Sequence, residues 1–123
     1  MARNRIPGVV LILIAIATFG CEKHNLSINQ EKILGTWISL DKSDTLDFVD
    51  DNNFYKSNIG MHYDHFDYKL FVDSIEIGYS GIMYILVKPT KHSYSMEGDR
   101  VTIDFSNRIC YGFTNQEETY TKE

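Results

Sequence analysis

Along most of residues 36–122 apolar residues recur at every second position, the period of a strand with one face buried. Leu46 and Phe48 oppose Thr45 and Asp47, and Ile75 and Ile77 oppose Ser74 and Glu76. Phe66, Tyr68, Leu70 and Val72 oppose His65, Asp67 and Lys69, while Val101, Ile103 and Phe105 oppose Thr102 and Asp104. Three segments open alike, at Asp44, Asp73 and Asp99, each with an Asp in a turn ahead of such a strand. A strand-like run precedes each one (Thr36–Leu40, Phe66–Val72 and Ser93–Glu97), so each pair reads as a hairpin, with Gly98-Asp99 the clearest turn. Asp50-Asp51-Asn52-Asn53 is a further turn, leading into Phe54-Tyr55-Lys56. Further strands are expected at Ile82–Lys88, ended by Pro89, at Ile109–Phe113, and at the polar Thr119–Lys122.

Strands with one apolar and one polar face must close around a core or pack as two sheets. The fold class expected is therefore all-β. It is a small antiparallel up-and-down barrel of about eight strands, whose interior holds side chains or one small ligand. Ahead of the first strand the period is helical. Ser27 with Gln30 three residues later fits a capping box, and Gly35 is a natural stop, so a short helical turn is expected over 28–34. Ile33 and Leu34 would plug something apolar, and Trp37, the chain's one tryptophan, follows directly.

The N-terminus has a different logic. Arg3 and Arg5 precede an uncharged, mostly apolar run from Val9 to Phe19, then Gly20-Cys21, and then polar residues from Glu22. That is the order of a secretory signal. As a helix the run reaches only about 17 Å at ~1.5 Å per residue, short of a ~30 Å hydrocarbon core. Gly20-Cys21 resembles a bacterial lipobox, in which the cysteine becomes the acylated first residue; Thr18 and Phe19 stand where Leu and a small residue are usual. The alternatives are an ordinary cleaved signal with a coincidental cysteine, or an uncleaved anchor. The expected organisation is a lipoprotein signal peptide at 1–20, an acylated Cys21 with a polar tether to residue 30, and the barrel at 31–123. The expected location is the cell envelope, lipid-anchored, in the outer membrane of a Gram-negative bacterium. Each acyl CH₂ buried in lipid contributes about 0.8 kcal/mol, so several chains hold the protein to the membrane.

Leu34-Gly35-Thr36-Trp37 resembles the Gly-x-Trp signature that opens the first strand of lipocalin-type (calycin) barrels after a short helical turn. The Tyr94–Ile103 hairpin is similar to those of bacterial lipocalin-like lipoproteins. The resemblance implies that Gly35 and Trp37 close one end of the barrel, a structural role. It does not imply small-molecule transport, because the family's other motifs are not recognisable here.

Composition narrows the function classes. Removing residues 1–20 takes away two basic and no acidic residues, leaving 10 Lys and Arg against 17 Asp and Glu, a net charge of −7. That argues against a nucleic-acid partner, which needs clustered Lys and Arg on the phosphates. With Cys21 consumed by lipid, Cys110 has no disulfide partner and reads as a buried small apolar residue. Met61–Asp67 offers His62 and Asp64 on one face and His65 and Asp67 on the other, at most two ligands per face where zinc wants three or four. Asp47, Asp50 and Asp51 lack EF-hand spacing and read as turn residues. No nucleophile elbow, phosphate loop or catalytic carboxylate pair is recognisable, so no enzyme activity, metal or cofactor is expected.

The numerous aromatics, Phe48, Phe54, Tyr55, Tyr68, Tyr84, Tyr94, Phe105 and Tyr111, read first as core. Six of them (Phe48, Tyr68, Tyr84, Tyr94, Phe105 and Tyr111) are the candidates for lining a cavity that takes a small apolar or sugar-like ligand. Ligand binding at the membrane surface is the leading expectation. A protein-interaction module, either an accessory subunit of an envelope complex or an inhibitor of a foreign enzyme, is the alternative, and a hydrolase at the barrel mouth the third. An open apolar cavity favours the first; a filled interior with exposed apolar side chains favours the second. The anchor itself is testable: mass spectrometry of the membrane fraction should find a mature protein that begins at Cys21 and carries acyl chains. An unmodified Cys21, or a soluble protein starting elsewhere, contradicts it.

Overall fold

The computed structural model describes residues 25–58, 63–81 and 86–123. A helix, α1 (25–32), precedes eight strands: β1 (Gly35–Ser39), β2 (Asp44–Phe48), β3 (Asn53–Asn58), β4 (Tyr63–Leu70), β5 (Ser74–Tyr79), β6 (Thr90–Glu97), β7 (Arg100–Asp104) and β8 (Glu117–Lys122). Each strand pairs antiparallel with the next, and β8 returns to β1, with Ile38 opposite Thr121, so the sheet closes into a barrel without a free edge. The all-β, eight-stranded, up-and-down architecture expected from the alternation is the one observed, and it is compatible with a lipocalin-like barrel.

The turns owe their shape to short polar side chains. The Asp41 carboxylate accepts from the hydroxyls of Ser39 and Ser43 and from the Ser43 amide, while Lys42 takes a positive φ. Asp50 accepts from the Asn52 amide and from Asn53, and Asp104 from the amide and hydroxyl of Ser106. Those hydrogen bonds hold all three carboxyls below the ordinary range, Asp41 at about 2.

Four expectations are corrected. Residues 109–113 form no strand, because Gly112 takes a positive φ of 87° and the segment turns inward. Of the strand expected at Ile82–Lys88, residues 82–85 lie outside the described set and 86–88 are not strand; Pro89 precedes β6. Val72 is exposed, because β4 ends at Leu70 and the alternation ends with it. Ser27 lies inside α1, which runs over 25–32 and takes in residues whose polarity alone marks them as tether.

One end of the barrel, holding the β2–β3, β4–β5 and β6–β7 turns, is covered by α1. Ile33 and Trp37 are wholly buried there, and the Trp37 indole N–H donates to the Ile33 carbonyl at 2.8 Å. That bond occupies a carbonyl at the helix end that would otherwise lack a donor. Lys122, opposite Trp37 on β8, donates from Nζ to the Lys32 carbonyl at 2.8 Å and lies 5.4 Å from the Trp37 ring centre. Gly35 makes room for it: its φ is +116°, and a Cβ there would come within 3.3 Å of the Lys122 stem. Trp37→Ala should therefore cost about 3–5 kcal/mol, a large share of a small domain's stability, as read by urea denaturation. An unchanged midpoint would show that the helix seals this end without the indole.

Candidate functional site

The other end of the barrel carries the β1–β2, β3–β4, β5–β6 and β7–β8 connections, and the last of these does the most. β7 stops at Asp104, the Phe105 amide donates to the Gln116 carbonyl at 3.1 Å, and the intervening chain folds back toward the barrel axis. A local turn, Phe113 N–H to the Cys110 carbonyl at 3.1 Å, with Gly112 left-handed, aims Phe113 at the core. A Cβ on Gly112 would lie 2.9 Å from Cζ of Phe66, so only glycine lets the backbone come this close.

Phe113 stacks on Phe105, with centroids 4.5 Å apart and planes 18° apart, and meets Phe66 at 5.4 Å and Phe54 at 6.3 Å. Phe54 continues onto Phe66 at 5.1 Å and onto Phe48 at 4.8 Å. The result is a continuous column of rings running from the plug into the barrel, each contact contributing about 0.5–1.5 kcal/mol beyond area burial. Tyr111 packs edge-on against Tyr79 at 4.7 Å at the rim. Segment 105–116 is thus a plug that buries Phe105 and Cys110, half-buries Tyr111 and Phe113, and leaves its other residues exposed, Ile109 among them.

Under the plug sits a small polar group. His92 on β6 is only 3% exposed, its ring 4.8 Å from Phe105, and its Nε2 is 2.7 Å from the Thr90 hydroxyl oxygen. Nearby, the Cys110 thiol donates to the Tyr111 carbonyl at 3.9 Å, and burial pushes it up and out of the thiolate range. The Tyr120 hydroxyl on β8 is fully buried without a hydrogen-bond partner among the described residues. Burial first, and then the charges of Glu118, Asp44 and Asp41, push its ionisation far above the usual tyrosine value. An unpaired buried hydroxyl costs about 1–3 kcal/mol.

Among the described residues, the expected cavity aromatics divide between the two ends of the barrel, with Tyr68 meeting Phe48 edge-on at 5.0 Å between them. Phe48 and Phe105 are in the ring column, and Tyr111 is at the rim. Tyr68 and Tyr94 serve the helix end: Tyr68 donates to the Asp50 carbonyl at 2.7 Å and Tyr94 to the Phe71 carbonyl at 2.6 Å, while Asn29 of α1 donates to Tyr94. Tyr84 lies outside the described residues, as does His62, and Cys21 does too. His65 Nε2 pairs with the Asn53 side chain at 2.8 Å, and Asp67 accepts from Ser80 at 2.6 Å; no cluster of three or more His, Cys, Asp or Glu among the described residues is placed to hold a metal.

No family model, curated protein or solved structure matches this chain.

Phe113, His92 and Tyr120 carry the geometry of this end, and the sequence hid each in its own way. Phe113 looks like the end of a strand, Tyr120 lies between two threonines in a polar run, and only the alternation of His92 with Tyr94 hints at an inward histidine. Gly112→Ala should loosen the plug at a cost of about 1–3 kcal/mol, through both its φ and its contact with Phe66. Chemical denaturation checks this; a variant as stable as the parent would mean that 105–116 does not pack against Phe66.

Proposed function

We propose that the protein is a lipid-anchored component of the cell envelope, in the outer membrane of a Gram-negative bacterium, whose plugged barrel works as a protein-interaction module. The observation that carries this reading is the plug. With Phe113, Phe105, Phe66, Phe54 and Phe48 stacked into the interior, the described core is occupied by the chain's own rings. The same end displays apolar side chains on its connections: Leu86 fully exposed, Ile109 75% and Leu40 58% exposed. Ile28, Val49 and Val72 are exposed at the opposite end, so the loop-end group is the one that a protein tethered through its N-terminus presents to a partner. The anchor fits this orientation. The four Cα-to-Cα steps from Cys21 to the first residue of α1 reach at most roughly 14 Å, which keeps the helix end toward the membrane and turns the loop end outward. The lipocalin-like resemblance then describes a scaffold, with the function resting on its loops.

A second reading, a small apolar or sugar-like ligand held inside, is favoured by the one observation that Tyr120 offers a buried hydroxyl with nothing to bond.

A photo-crosslinking residue placed in intact cells at 40, 86 or 109 should give discrete protein adducts. The same residue at Glu76, on the barrel wall, should give none, and Leu86→Asp or Ile109→Asp should abolish the adducts from neighbouring positions. Adducts equal at all positions, or absent from all, contradict the module. A stoichiometric small molecule in native mass spectra of the extracted protein would move the assignment to the ligand reading.

A further inference from the structure

We infer that protonation of His92 releases segment 105–116, so that acid opens the loop end of the barrel. The inference deepens the docking reading by giving that surface a regulator. It rests on that reading for its use in the cell, while its chemistry stands on the barrel alone.

Everything packed on the imidazole is laid out for the neutral form. β5 contributes Ile75, directly across the ladder from His92, and Ile77 beside Thr90, neither of which can take up a charge. The plug contributes the Phe105 ring and, from its exposed surface, the like charge of Arg108. β7 contributes Asp104, whose backbone hydrogen-bonds the imidazole and whose carboxylate is the one group that would welcome a second proton. That carboxylate is held by Ser106 instead. Burial, then Arg108, outweigh it and hold His92 below the ordinary histidine value.

The hydrogen bonds also run in one direction. In neutral His92 one ring nitrogen donates to the Asp104 backbone, and Nε2 accepts the Thr90 hydroxyl proton. A proton on Nε2 turns it into a donor. The Thr90 hydroxyl must then turn its proton away and accept from His92 instead. Protonation therefore places a charge on a ring packed against Phe105, in a site that is 3% open to water, and reverses its bond to Thr90.

The sign follows from linkage. A histidine whose closed-state value is depressed stabilises the closed state fully above the open-state value of ~6.5. That stabilisation is lost as pH falls from there toward the depressed value. Between pH 7.5 and 5.5 the population of the open plug should rise, with about tenfold as the ceiling reached when the closed form binds no proton.

Hydrogen exchange of the full chain, corrected for the intrinsic pH dependence of amide exchange, tests this without any partner. Amides of 106–116 should open more at pH 5.5 than at pH 7.5, by up to about tenfold, those of β2 and β3 should not, and His92→Gln should remove the difference. His65→Gln, altering the histidine on the outer wall, should leave it intact. A pH-independent plug, or a dependence that survives His92→Gln, overturns the inference. Should His92→Gln fail to fold, an NMR titration of the parent decides: a His92 midpoint at or above ~6.5 also overturns it. Failure of the crosslinks at 40, 86 and 109, with the acid opening intact, would instead refute the docking reading alone.

Discussion

Lys122 ties together the three parts that must meet for this barrel to close. Its backbone belongs to β8 and pairs with β1 opposite Trp37, its ammonium binds the Lys32 carbonyl at the end of α1, and its stem fills the space that Gly35 leaves empty. The Trp37 indole completes the joint from the other side by bonding Ile33. A lone surface lysine contributes little to stability, but here the bond is to a helix-end carbonyl that has few other donors, and the aromatic face lies beneath it. Without that joint β1 and β8 would each present an unpaired edge, and α1 would have no reason to lie over the core.

The far end is sealed differently. A closed barrel of eight short strands has an interior that side chains just fill. Here the filling comes partly from a connection rather than from strands: Phe105 and Phe113 enter from 105–116 and extend the stack built by Phe48, Phe54 and Phe66. The helix end is held by backbone-directed hydrogen bonds from Trp37, Lys122, Tyr68 and Tyr94, whereas the plug is held by ring contacts and a few polar bonds around His92. Local opening is expected where the cooperative ladder is absent, which places it in the plug. Tyr120, buried and unpaired beside this segment, adds to the imbalance between the two ends.

The barrel was legible in the sequence because period-two alternation is unambiguous where one face is buried, as in Leu46–Phe48, Ile75–Ile77 and Val101–Ile103. The hairpins were legible because Asp and Gly turn chemistry sits between those runs. The plug was not. Ile109-Cys110-Tyr111-Gly112-Phe113 is apolar enough for a strand, yet only Cys110 of the five is buried; the left-handed φ of Gly112 makes it a turn and has no signature in composition. The five candidate cavity residues that are described divide between the two ends of the barrel for a related reason. Aromatic content reports how much ring volume must be buried, but which end of a barrel each ring serves depends on register. Tyr68 and Tyr94 turn out to hold the helix end, while Phe105 enters with the plug.

The central claim is that segment 105–116 occupies the barrel with Phe113. Nuclear Overhauser contacts of the Phe113 ring protons test it most directly. Cross-peaks from Phe113 to the rings of Phe66 and Phe105, together with slowed ring flips, are the predicted result. A Phe113 ring with random-coil shifts and no such cross-peaks, in a protein whose β2, β3 and β4 amides remain protected, would show an open barrel and contradict the account.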